Sequence, residues 1–265
     1  MRWLEKNLKT GAAEKTFISA LSRAFGYTPP NKNVINMKKQ LGEALFAEKC
    51  QKIEFDINEA ICEFPNYGEI INTLLVIGDE TAKLKEKCHI RVGIPVKPML
   101  AKPTKGVREV LDRFEQLSFT CEYKYDGFRG QIHFNRKTGT VEIYSRNLES
   151  MTVQYPDVVN FIKQSVQDKP VEDFILDSEL VAYDTVQDRI LPFQILTQRS
   201  RKNVTDEDLK TKICICAFDL LYLNGKSLLK ETFITRRHLL HTNFSEVNHN
   251  FVFAKYKNAE SFEEI

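Results

Sequence analysis

The chain reads as an α+β protein, with an all-helical portion followed by a domain built on a largely antiparallel sheet. Three observations predict this. Apolar residues recur at helical spacing through the first third, the composition breaks at Gly93-Ile94-Pro95-Val96-Lys97-Pro98, and beyond Leu117 the apolar period changes to two. The proline- and glycine-bearing stretch marks a boundary, giving a helical domain at 1–92 and a sheet-based domain at 93–265.

Four stripes define the helical part: Phe17, Ile18, Leu21, Ala24 and Phe25; Val34, Met37, Leu41, Ala44 and Leu45; Ile57, Ala60, Ile61 and Phe64; and Ile70, Ile71, Leu74 and Leu75. Such faces must bury against one another, so a bundle is expected. Breaks fall at Thr28-Pro29-Pro30-Asn31 and around Pro65-Asn66-Tyr67-Gly68, where proline and glycine stop helices. Past the boundary, Val107, Val110, Leu111, Phe114 and Leu117 predict one amphipathic helix. Strands follow. Alternation through 121–129 predicts one, Arg129–Phe134 and Val141–Ser145 predict a hairpin around Lys137-Thr138-Gly139, and Phe174–Tyr183 predicts another strand. Ile213–Tyr222 runs into Asn224-Gly225, a tight-turn pair, before Lys226–Leu229.

At 265 residues, 42% hydrophobic and 28% charged, the chain is long enough for one large or two medium cores. A net charge of +2 means that any nucleic-acid partner must be met by local basic patches. No apolar run has membrane-span length and the start, with Glu5, lacks the apolar segment of a secretion signal, so a soluble intracellular protein without a membrane partner is expected. Six cysteines lack paired zinc spacing and are expected to be reduced core residues; Cys214 and Cys216 share a strand face, which leaves a metal reading open.

Alternation would place Glu122, Lys124 and Asp126 on one strand face, with Tyr123 and Tyr125 opposite. A solvated face is one reading and the floor of a cleft the other. In a cleft, Lys124 is a candidate nucleophile. A lysine amine attacks only when neutral, against an ordinary pKa of about 10.4, and nearby carboxylates favour the ammonium form. A divalent cation delivered with a nucleotide, with Arg129, would oppose that and stabilise charge developing at phosphorus. Asp177 and Glu179 share a face of the next strand and suit magnesium, unless they are acids turned to water. Phe218 is a base-stacking candidate or a core residue.

Several motifs, in order, carry a family resemblance: Gly93-Ile94-Pro95 with Lys97-Pro98-Met99-Leu100-Ala101, Lys124-Tyr125-Asp126-Gly127 with Arg129, Ser145-Arg146-Asn147, Tyr155-Pro156-Asp157, Phe174 to Glu179, Pro192-Phe193-Gln194 with Arg199, and Ala217 to Gly225. Together they resemble the ATP-dependent DNA ligases, of the eukaryotic replicative DNA ligase I type. The resemblance implies that Lys124 attacks the α-phosphate of ATP to form a lysyl-AMP. It implies that Glu122 accepts from the adenine amino group, Phe218 stacks on adenine, and Arg129 and Glu179 contact the ribose, Glu179 also serving Mg2+. Arg146 would help hold the nucleotide and, with Asn147, the 5′-phosphate side of the nick, and Asp126 would serve the later steps.

The helical third is similar to the C-terminal portion of that family's DNA-binding domain, with Lys9, Gly11 and Ala13 as proposed phosphate contacts at a helix start. Arg199, Arg201 and Lys202 form a second basic cluster, either on phosphate or simply solvated. The implied partner is nicked duplex DNA, with replication or repair proteins, and the implied state is a nuclear monomer. The family's later nucleotide motifs and its OB-fold are expected to be absent, and Lys255-Tyr256-Lys257 is not a substitute for the missing lysine pair. A fragment with weak or absent adenylation is therefore expected; an inert DNA- or protein-binding module and an RNA-capping or RNA-ligating enzyme are the alternatives.

Overall fold

A computed structural model describes residues 13–34, 36–114, 117–199 and 211–259. The chain separates into two compact units, Met1–Ile90 and Arg91–Ile265.

The first unit is helical: α1 (Glu14–Tyr27), α2 (Met37–Leu41), α3 (Glu43–Glu63), α4 (Tyr67–Ile77) and α5 (Leu84–Lys87), the last preceded by a 3-10 turn at Thr81–Lys83. Asn36 and Asn66 start α2 and α4 by accepting the amides of Lys39 and Glu69, each at 3.1 Å. Ile53, Ile57, Ala60 and Ile61 of α3 form the core with Phe64, Ile70, Leu74, Leu84 and Ile90. The stripe expected over 34–45 is broken, because Gly42 at φ +80 ends α2 and begins α3 and leaves Ala44 and Leu45 exposed. Phe46 and Cys50 are buried instead. α1 also departs from its stripe, since Phe17 and Ala24 are exposed while Ser22 and Gly26 are buried. A Cβ at Gly26 would stand 2.8 Å from the Cys50 sulfur, so the missing side chain lets α1 approach α3.

The second unit opens with α6 (Val107–Phe114), then β1 (Phe119–Glu122), β2 (Phe128–Asn135), β3 (Thr140–Tyr144), α7 (Pro156–Ser165), β4 (Asp173–Asp184) and β5 (Arg189–Ile190). It continues with α8 (Phe193–Thr197), β6 (Lys212–Leu223), β7 (Lys226–Ser227), α9 (Phe233–Asn243), β8 (Phe251–Phe253) and β9 (Tyr256–Ala259). The main sheet runs β3-β2-β4-β6-β7 antiparallel, with β5 antiparallel on β4 and β8 parallel on β6. β1 and β9 form a separate antiparallel ribbon.

Alternation assigns the two faces of the main sheet. Ile132, Phe134, Leu176, Leu180, Ala182, Ile213 and Ile215 join the core with Val158 and Ile162 of α7 and Leu240 and Phe244 of α9. Arg129, Gln131, His133, Asp177 and Glu179 alternate to the other side, which is where polar chemistry collects. The Asn224-Gly225 turn has the expected positive φ values of 47 and 81, although the strand after it covers only Lys226–Ser227.

One expectation fails here. Residues 121–129 are not a single strand, because β1 pairs with β9 while β2 pairs with β3 and β4, and Tyr123–Gly127 cross between the two sheets. Gly127 makes that crossing possible: a Cβ there would overlap the carbonyl oxygen of Leu180.

Candidate functional site

A cleft of about 1050 Å³ opens on the polar face of the sheet, lined by Glu122, Lys124, Asp126, Arg129, Arg146, Asn147, Glu179 and Phe218 among others. The residues come from segments far apart in sequence, and separate devices hold them.

Lys124 lies on the crossing between the sheets and not on a strand. Its neighbours are tied to one residue: the Tyr123 amide donates to the Lys255 carbonyl at 3.1 Å, and the Lys255 amide donates to the Tyr125 hydroxyl at 3.1 Å. The segment carrying the amine is therefore held on both sides, through the Tyr123 backbone and the Tyr125 side chain. Glu179 stands opposite, paired in register with Arg129, and its carboxylate accepts from the Gly127 amide. Burial raises Glu179 above the usual carboxylate range, against the pull of that amide, Arg129 and Lys124. Desolvation also raises Glu122, which Arg237 opposes.

Phe218 owes its position to a bulge. Ala217 pairs with Ser178 and Asp219 with Asp177, so Phe218 is the extra residue between them, and such residues are turned out of the regular ladder. Its half-buried ring lies in the cleft with the Arg129 guanidinium 5.5 Å from its centroid. Arg129 is itself gripped by Asp177 through two nitrogens, Nε to Oδ1 at 2.9 Å and Nη2 to Oδ2, and its Nη1 donates to the Met99 carbonyl at 3.3 Å. Asp177 is therefore engaged as an ion-pair partner rather than standing as half of an open carboxylate pair.

The wall at Met99–Ala101 follows a clasped segment. Gln131 accepts from the Val96 amide at 2.7 Å and donates to the Val96 carbonyl at 3.0 Å; His133 Nδ1 accepts from the Gly93 amide at 3.0 Å. The proton must then sit on Nε2, 3.1 Å from the Gln131 oxygen. Burial pushes His133 down to about 3, which keeps the ring neutral. Tyr144 closes the clasp by donating to the Gly93 carbonyl at 2.9 Å. Neither Gln131 nor His133 stood out in the sequence, although two polar residues alternating with Ile132 and Phe134 are a signal that this face is not core. On the far wall, Arg146 and Asn147 are exposed on a turn organised by Ser145, whose hydroxyl accepts the amides of Asn147 and Glu149 at 3.2 Å.

Arg199 fits neither sequence reading. It is 4% exposed, donates to Asp157 at 2.8 Å and lies 5.0 Å over the Tyr155 ring, so it belongs to an internal ion pair beneath α7 and α8. Arg201, Lys202, Lys9 and Gly11 lie outside the described residues, and Ala13 is exposed at the start of α1. Among the described residues no three His, Cys, Asp or Glu side chains gather as a metal site, and no helix is long and apolar enough to cross a membrane. Cys214 and Cys216 are buried without such partners.

An aromatic face, a carboxylate at its edge, arginines and an amine around one cleft suit a ligand that joins a flat base to phosphates, which is the chemistry of nucleotide-binding proteins. Residues 98–265 match the family model described as the ATP dependent DNA ligase domain, and the chain belongs to that family. It is 41% identical over its whole length to DNA ligase 1 of Dictyostelium discoideum, covering 22% of that protein. It is 42% identical to DNA ligase 1 of Schizosaccharomyces pombe and 43% identical to that of Arabidopsis thaliana, again over its whole length, covering 33% and 32% of them. The chain thus spans a third or less of the length of these curated relatives.

Proposed function

We propose that this chain carries the self-adenylating centre of a DNA ligase that seals nicks in duplex DNA. The neutral amine of Lys124 attacks the α-phosphorus of ATP, a P–N bond forms, the bond to pyrophosphate breaks, and the proton leaves Nζ. AMP then passes from lysine to the 5′-phosphate of the nick, and the 3′-hydroxyl displaces it. The observation that carries this reading is the single cleft gathering Lys124 with Glu122, Arg129, Arg146, Glu179 and Phe218.

In this reading Phe218 stacks on adenine and Glu122, at the exposed end of β1, accepts from its amino group. Arg129, oriented by Asp177, and Glu179 face the ribose, and Arg146 holds phosphate. Asn147 and Asp126, both exposed lining residues of the cleft, serve the 5′-phosphate and the later steps. Mg2+ supplies charge neutralisation at the phosphates when bound. The cleft suits such a hard cation, because Glu179 offers one carboxylate and magnesium commonly takes one or two, with waters and phosphates completing its shell. The helical unit is assigned to duplex DNA, with Lys9, Gly11 and Ala13 near phosphate, and the nucleus, in replication and repair, is the proposed setting.

Intact mass after incubation with ATP and magnesium tests the proposal. A low-yield AMP adduct on the 265-residue chain that is lost in Lys124→Ala is expected; an adduct of undiminished yield in that variant would show that another residue is the nucleophile. Affinity for nicked duplex should fall as salt rises, because phosphate contacts release counterions. An affinity indifferent to salt would refute the assignment of the helical unit.

A further inference from the structure

Glu122 and Phe218, the two residues assigned to adenine, stand on different sheets, and consecutive arginines of α9 reach towards one each. Arg236 grips Asp219 with two hydrogen bonds, Nε to Oδ1 at 2.8 Å and Nη2 to Oδ2 at 2.9 Å, while its Nη1 donates to the Glu231 carbonyl at 2.8 Å. Asp219 also accepts the Leu220 amide at 2.9 Å, so its carboxylate anchors the bulge from which Phe218 projects. Both members of the pair are buried.

Arg237 serves the ribbon. It donates to Asn258 Oδ1 at 2.9 Å, which also accepts from the Thr120 hydroxyl at 2.7 Å, and its guanidinium lies 3.8 Å over the Tyr256 ring. Thr120 faces Asn258 across the ribbon, and Glu122 faces Tyr256. Neighbours on a helix project about 100° apart, so one rigid element can hold two sheets.

We infer that Arg236 and Arg237 are positioning residues that fix Phe218 and Glu122 relative to each other, Arg237 setting preference for the adenine amino group and Arg236 setting the stacking platform. This rests on the adenine reading proposed above.

The test is competition binding of ATP and of purine riboside triphosphate, which lacks the 6-amino group, to the 265-residue chain and its variants, with circular dichroism as the folding control. The wild type should prefer ATP about tenfold, the worth of one hydrogen bond to a charged group. Arg237→Met should bring that ratio close to one, whereas Arg236→Met should weaken both nucleotides equally, because stacking is indifferent to the amino group. Arg237→Lys keeps the charge without the planar fork and should give an intermediate ratio; it serves alone if the methionine variant does not fold. A wild-type preference for ATP retained in full by folded Arg237 variants overturns the inference and leaves the adenine reading standing. A wild type that binds both nucleotides alike, or neither, overturns the adenine reading itself.

Discussion

A single neutral imidazole, that of His133, fixes how the wall of the cleft responds to acid. Burial holds the folded side chain far below its ordinary value, at about 3, whereas in the unfolded chain it protonates near 6.5. Its contribution to stability is therefore complete above about pH 6.5 and is lost as pH falls towards 3, at up to about 1.4 kcal/mol per unit. Between pH 6.5 and 5 the wild type should lose about 1.6 kcal/mol more than His133→Asn, which keeps an acceptor near the Nδ1 position but does not titrate. Urea unfolding of both proteins at the two values checks this, and equal losses would show that the ring does not resist protonation. Gly127 makes a different demand, purely of space. Gly127→Ala should cost about 1–3 kcal/mol, as overpacking does, and should move Lys124 enough to depress lysyl-AMP yield. A fully stable, fully adenylating variant would contradict the close approach to Leu180.

At the scale of elements, boundaries decide more than propensities. Gly42 has nothing within 4 Å of where a Cβ would sit, so its role is the positive φ alone, and Gly42→Ala should destabilise the helical unit by about 1 kcal/mol through strain without touching the core. Thermal unfolding measures it; an unchanged midpoint would mean that α2 and α3 tolerate merging. The helical periods of α3 and α4, the β2–β3 hairpin and the two long strands β4 and β6 were legible because one face of each is plainly apolar. The separation of β1 from β2 was not, since alternation through Glu122, Lys124 and Asp126 continues across a crossing whose two ends simply pair with different strands. The bulge at Phe218 was equally invisible, because register is a property of two strands and the sequence displays one at a time. Asp177 was legible as a polar residue on a buried strand, but its partner could be assigned only once Arg129 was seen beside it.

For the whole molecule, the division between Ile90 and Arg91 separates a helical unit from one that contains every lining residue of the cleft. A protein beginning at Arg91 should therefore bind ATP with the affinity of the full chain while losing most affinity for nicked duplex. Titration of both ligands against both proteins decides it, and a truncated form that no longer binds ATP would tie the cleft to the helices. Which residues meet in the cleft was readable from motif order; how they are braced was not, because Gln131, His133, Arg236 and Arg237 act through neighbours and carry no signature of their own. The backbone of Lys255 is the plainest instance. Both of its polar groups are spent on Tyr123 and Tyr125, so the amine of Lys124 swings on an anchored pivot. Under the proposed mechanism, a nucleotidyl group carried there can travel only as far as four methylenes reach, and a more distant acceptor must come to the lysine.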